Sequence, residues 1–327
     1  MPHDLATTNG RTAMAYFGEL PWHRLGIRLN EPATAAEAIT AAGLDYEVGL
    51  CPLTTMFREP VSGRRAVVRE DTRQVLGVVG DSYVPIQNRE CFNFLDSVVA
   101  DEELRYHTAG ALGKGERIWL LAKLPDSIRV RNSDDITEQF LLLSNSHDGS
   151  SALRVYFTPI RVVCANTLAV ADRKSHGKGI AIRHAGDLPS KIAQARDVLG
   201  LANEFFDELS LKIDRLASYY PTAAQLQGYF QRLYPDPPVG NKTRAENTRD
   251  TLLRLFEEGR GQDMPGIRHS AWAAVNAVTE YVDHHRPTRG RTPEQRADRR
   301  LRSQWFGSGA QLKQRAWRLA FDIATNN

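Results

Sequence analysis

The chain has 327 residues, room for about two domains with sizeable cores, and its 42% hydrophobic and 25% charged content excludes wholesale disorder, collagen and a coiled-coil rod. Its 42 Lys and Arg against 39 Asp and Glu leave a net charge of +3. No run approaches the ~18 apolar residues of a spanning helix, and MPHDLATTNGRTAMAY lacks a signal-peptide pattern, so a cytoplasmic protein outside the membrane is expected.

In chain order, Thr34 followed by Glu37 forms a capping box ahead of AAEAITAAG, a short helix closed by Gly43. RRAVVRE and QVLGVVGDSYVPI read as paired strands. Asn88 opens a helix in which Phe92, Leu95 and Val99 share a face. GALGKGE, at residues 110–116, is glycine-rich with one lysine but lacks the order of a phosphate loop, and reads as a hairpin loop before a strand at Arg117. That strand, ERIWLLAKLP, is apolar enough to sit centrally in a sheet and should end at Pro125.

Residues 137–163, TEQFLLLSNSHDGSSALRVYFTPIRVV, place Asp148-Gly149 between two β-rich runs, the pattern of a hairpin with a tight primed turn. Leu153, Val155 and Phe157 should face one side and Arg154 and Tyr156 the other, with Pro159 interrupting the ladder. IRVVCANTLAVA should continue as a strand turning into a helix.

Beyond residue 186 the pattern turns helical. Ile192, Ala195, Leu199, Ala202, Phe206, Leu209, Ile213 and Leu216 alternate spacings of 3 and 4, predicting one long helix whose seam docks within the chain or on a second copy. Thr222 with Gln225 and Thr243 with Glu246 are further capping boxes. Trp272, Val275, Val278 and Val282 mark another helix, and a final one should bury Leu312, Ala316, Leu319 and Ile323. The expected fold is therefore α+β: a mixed or antiparallel sheet with helices in residues 1–185, and a helical domain in residues 186–327 carrying the heptad helix and a basic segment.

Charge is unevenly placed. Residues 1–185 hold 21 basic and 22 acidic side chains, whereas residues 286–318 alone hold ten Lys or Arg against two Asp or Glu. Such a block fits a polyanion partner or a solvated face.

The stretches GELPWHRLG, YVPIQNRECFNFLD, LSNSHDGSSALRVYFTPIRVVCANTLAVA, WAAVNAVTEYVDHHR and WFGSGAQLKQRA follow one another along nearly the whole chain. Together they are similar to a family of phage- and plasmid-like proteins classified as domain of unknown function 932. The resemblance implies a mobile-element protein and leaves its chemistry open. The insert RPTRGRTPEQRADRRLR is more basic than the family pattern.

Two kinds of site follow from the residues. His147 and Asp148, with Cys164 as a thiol nucleophile and Asn166 as an orienting group, could make a hydrolase, although Asp-Gly turn chemistry, a buried thiol and a helix cap explain the same residues. Arg154, Tyr156 and Arg161 on the sheet could offer charge and stacking to a nucleic acid. Arg289, Arg291, Arg296, Arg299, Arg300 and Arg302 could neutralise phosphates. Trp22 and His23 read as packing, and His284 and His285 as helix-end cations. Three cysteines, Cys51, Cys91 and Cys164, fit neither a disulfide frame nor a zinc site; no metal or cofactor is expected. The leading expectation is a non-enzymatic nucleic-acid-binding protein, single-stranded DNA favoured and homo-oligomeric if it anneals strands. The alternatives are the hydrolase and a protein-interaction module using the heptad helix.

Overall fold

A computed structural model describes residues 5–8, 10–17, 26–31, 33–96, 105–131, 133–161, 166–167, 180–185, 202–291, 296, 299–300, 303–304 and 307–325. These hold strands β1 (Thr7–Thr8), β2 (Arg11–Thr12), β3 (Met14–Phe17), β4 (Ile27–Leu29), β5 (Val48–Thr54), β6 (Pro60–Arg69), β7 (Val75–Gly80), β8 (Arg105–Leu112), β9 (Arg117–Arg129), β10 (Ile136–Ser146), β11 (Leu153–Arg161), β12 (Asn166–Thr167) and β13 (Ile180–Ile182). The helices are α1 (Ala35–Ala41), α2 (Asn88–Asp96), α3 (Ala202–Ala217), α4 (Ala223–Leu233), α5 (Thr243–Glu258), α6 (Ala271–Glu280) and α7 (Ser308–Thr325). The fold is α+β with its helices concentrated toward the C-terminus. No helix among the described residues is long and apolar enough to cross a membrane.

Internal contacts divide the chain into two units. The first comprises residues 1–124, 140–157 and 178–202, the second residues 125–139, 158–177 and 203–327. The main sheet runs β12-β11-β10-β9-β8-β3-β4, with β13 also on β11, and β5-β6-β7 form a separate antiparallel sheet. The main sheet is mixed, because β3 pairs parallel with β4 and antiparallel with β8. Its central strands are apolar on both faces, as their continuous apolar runs require: Ile118, Leu120, Ala122, Phe140, Leu141 and Leu143 are all buried.

Several local expectations hold for physical reasons visible in the sequence. The Thr34 hydroxyl accepts from Glu37 N while the Glu37 carboxylate accepts from Thr34 N at 2.9 Å, and Gly43 ends the turn at φ +63°. Thr222 and Gln225 make the second capping box. Residues 113–116 join β8 to β9 as the loop read from GALGKGE.

Others are corrected. β9 runs through Pro125 to Arg129 rather than ending at the proline, and the described pairs of β8 with β9 reach from Arg117 to Lys123. β11 spans Leu153–Arg161, and Pro159 lies between its segments paired with β13 and β12, where the break in the ladder is expected. Thr243 is the first residue of α5 and no cap; the Asn241 amide oxygen accepts from Thr243 N at 2.8 Å, and Glu246 N donates to Lys242 O.

In the second unit, Phe206, Leu209, Ile213 and Leu216 on α3 are buried within the chain, so this part of the heptad seam is an internal contact. Ile192, Ala195 and Leu199 lie outside the described residues. Helix α6 is buried on every side and continues into a π turn, Tyr281–His285. Trp272 Nε1 donates to Asp135 Oδ2 at 2.8 Å, and the Trp317 ring meets the Trp272 ring edge-on at 5.9 Å. On α7 the buried stripe is Lys313, Ala316, Trp317, Ala320 and Ala324. Leu312, Leu319 and Ile323 are only half-buried, because large Trp317 and salt-bridged Lys313 turn the inward face by a residue from the expected one.

Candidate functional site

The NSHDGSS segment leaves β10 at Ser146 and re-enters the sheet at Leu153, a longer connection than the tight two-residue turn expected from Asp-Gly. Only Gly149 adopts positive φ, +74°. Asp148 acts through its side chain instead: one carboxylate oxygen accepts a short bond from the Ser146 hydroxyl and one from Ser150 N at 2.8 Å, an Asx-type turn. Burial alone would raise the Asp148 carboxyl, but the bonds from Ser146 and Ser150, with Arg117 nearby, hold it below the ordinary range. Strand β7 presses on this turn where it is narrowest; a Cβ on Gly77 would stand 2.5 Å from Asp148 Cα.

His147 points inward and has no exposed surface. Its backbone N–H donates to Glu116 O at 2.7 Å, and its Nε2 lies 2.8 Å from Asn88 Oδ1. Because Asn88 Nδ2 donates to Leu44 O, the amide oxygen must accept here, so Nε2 carries the proton and Nδ1 has no partner among the described residues. Burial, reinforced by His184, pushes the His147 pKa down to about 3, so the ring is neutral.

His184 is neutral for the same reason, with Nδ1 set against Val84 O at 3.3 Å and the Tyr83 ring stacked on it at 4.8 Å. Tyr83 Oη donates to Ser146 O, and Asn145 Nδ2 to Ile86 O. The YVPIQN and SNSHDGSS stretches, far apart in sequence, are thus clasped by side-chain to backbone bonds inside the first unit. As described, the His147 ring serves this clasp, and the carboxylate beside it serves the turn. Cys164 lies outside the described residues, and Asn166 is described in backbone only, paired with Arg161 across β12 and β11.

Of the candidate nucleic-acid contacts, Arg154 is exposed between buried Leu153 and Val155, the alternation expected of this strand. Tyr156 and Arg161 are described in backbone only, and Arg302 lies outside the described residues. In the basic segment Arg289, Arg291, Arg296 and Arg299 are exposed. Arg300 is half-buried and donates to Arg286 O at 3.3 Å, so part of its role is local structure.

The strand pattern did not single out Arg69, which is 2% exposed. Its guanidinium pairs bidentately with Asp71 at 2.7 and 2.9 Å and lies 3.8 Å from the centre of the Tyr46 ring. Burial pushes the Tyr46 hydroxyl up to about 12. These three residues form one wall of a cleft of about 500 Å³ that Arg11 and Asp45 also line. A charged residue ending the apolar run AVVR, two positions before an aspartate, was the available signal. No three His, Cys, Asp or Glu side chains among the described residues converge as a metal set.

A family model described as domain of unknown function (DUF932) matches residues 75–305. No curated protein and no solved structure matches the chain.

Proposed function

The chain belongs to the domain of unknown function 932 family, and we propose that it is a nucleic-acid-binding protein, with single-stranded DNA as its favoured ligand and a phage or plasmid as its setting. The observation that carries this reading is the solvent exposure of Arg289, Arg291, Arg296 and Arg299 within one short basic segment. Arginines spent on core packing would be buried or paired inward, as Arg69 is; exposed arginines concentrated in one segment raise the local potential and recruit phosphates. Binding of this kind releases counterions, so its affinity falls steeply with salt and depends little on sequence. The enclosure of His147, whose Nε2 is bonded to Asn88, weighs against the hydrolase alternative, since a general base must reach a substrate proton.

The test is the salt dependence of binding to unrelated single-stranded oligonucleotides. Arg289→Gln, Arg296→Gln and Arg299→Gln together should weaken binding to all of them and flatten the slope of log affinity against log salt by about 2. An unchanged slope in a variant of unchanged melting temperature would leave the segment a solvated face and remove the proposal's main support.

A further inference from the structure

The β5–β6 hairpin in the first unit does more than its sheet requires. Strand β7 pairs with β6 only as far as Arg64, opposite Gly80, while β5 and β6 continue to the Thr54–Pro60 rung. The extension is a two-stranded ribbon, and every residue from Thr54 to Arg65 is exposed. At its tip Met56 is 89% and Phe57 78% exposed, adjacent large apolar side chains that contribute almost nothing to a core.

The tip is nevertheless ordered. Thr55 O accepts from Arg58 N at 2.9 Å, Thr55 N donates to Glu59 O at 2.8 Å, and the Thr55 hydroxyl accepts from both Phe57 N and Glu59 N. Arg58 takes the left-handed conformation, φ +67°, that closes this turn. One threonine therefore holds an apolar pair at the end of an arm, at a conformational cost that no core burial of Met56 or Phe57 among the described residues offsets. The surrounding charge is positive: Arg58, Arg64 and Arg65 stand against Glu59, and Arg65 makes a loose surface contact with Asp81 at 3.5 Å.

We propose that this arm is a nucleic-acid wedge, in which Phe57, backed by Met56, stacks on or between bases while Arg58 and Arg64 contact the flanking phosphates. A projecting ribbon can carry its tip between the bases of a single strand, and an exposed aromatic face is a sequence-tolerant platform on which they stack. Basic flanks around an apolar tip match a ligand whose phosphates surround flat apolar bases. The arm lies outside residues 75–305, so it is a feature of this chain beyond the family match. The assignment rests on the nucleic-acid reading above, but on different residues.

The experiment compares the full-length protein with Phe57→Ala and with Met56→Ser/Phe57→Ser on single-stranded DNA carrying 2-aminopurine. Removing exposed side chains should leave the melting temperature unchanged. Affinity should fall about tenfold for Phe57→Ala with an unchanged salt slope, because stacking releases no counterions, and the 2-aminopurine signal on binding should disappear. Arg58→Gln/Arg64→Gln should instead flatten the slope by about 1.5.

Wild-type affinity and fluorescence in the Phe57 variants, with binding still sensitive to the basic-segment substitutions, would overturn the wedge alone. Absence of nucleic-acid binding by the unaltered protein would overturn both readings. Phe57-dependent binding to phosphatidylserine vesicles with unaffected DNA binding would assign the arm to a membrane surface and overturn the wedge.

Discussion

His147 shows how one residue couples the clasp to pH. Its ring is held neutral, with a pKa of about 3 against 6.5 for an ordinary histidine. On acidification the unfolded chain therefore takes up the proton first, and stability is lost as the pH falls from 6.5 toward 3. Between pH 7.5 and 5 this site alone should cost about 2 kcal/mol, with His184 adding in the same direction. Urea unfolding at the two pH values should show this loss, and His147→Gln should be less stable at pH 7.5 but flatter in its pH dependence. An equal pH dependence in the variant would place the acid sensitivity elsewhere. A second residue-scale prediction concerns Lys313 and Asp283, 2.9 Å apart with side chains only 1% and 4% exposed. Lys313→Ala removes the cation from a buried carboxylate and should cost about 3–5 kcal/mol. Adding Asp283→Ala should recover a substantial part of that, a pattern a double-mutant cycle in urea would read directly.

Helix α3 carries the clearest element-scale prediction. Its spacing suits an intermolecular seam as well as an intrachain one, and the burial of Leu209 and Ile213 within the single chain decides for the latter. Leu209→Ala should therefore lower stability by about 2–5 kcal/mol and leave the mass seen by light scattering unchanged. A shift in mass with intact stability would make the seam an interface. Caps were legible where side-chain and backbone groups lie within one turn, as for Thr34 and Thr222, and misread where Asn241 offered the helix an earlier oxygen. Pro125 reads as a strand end because composition marks a proline as a breaker, whereas its tolerance in a strand depends on which neighbour its missing N–H faces, and no local spacing encodes that.

Across the whole molecule, a net charge of +3 conceals a segment of far higher positive density, and the local potential follows the segment rather than the total. The amino-acid sequence by itself determined the α+β class, the paired β6 and β7, the starts of α1 and α4, the alternation around Arg154 and the basic block. Each depends on periodicity, capping or charge within a few residues, and such local preferences survive folding. Tertiary structure alone decided that His147 faces Asn88, that Arg69 and Tyr46 share a wall, that the α3 seam is internal, and that Met56 and Phe57 end a bare arm. These facts turn on which distant segments share a contact and how far a neighbouring strand extends, and no local spacing encodes either. The sequence reads His147 equally as a hydrolase residue or as part of a turn and singles out neither Met56 nor Phe57; the bond of His147 to Asn88 and the point where β7 ends are set by distant segments.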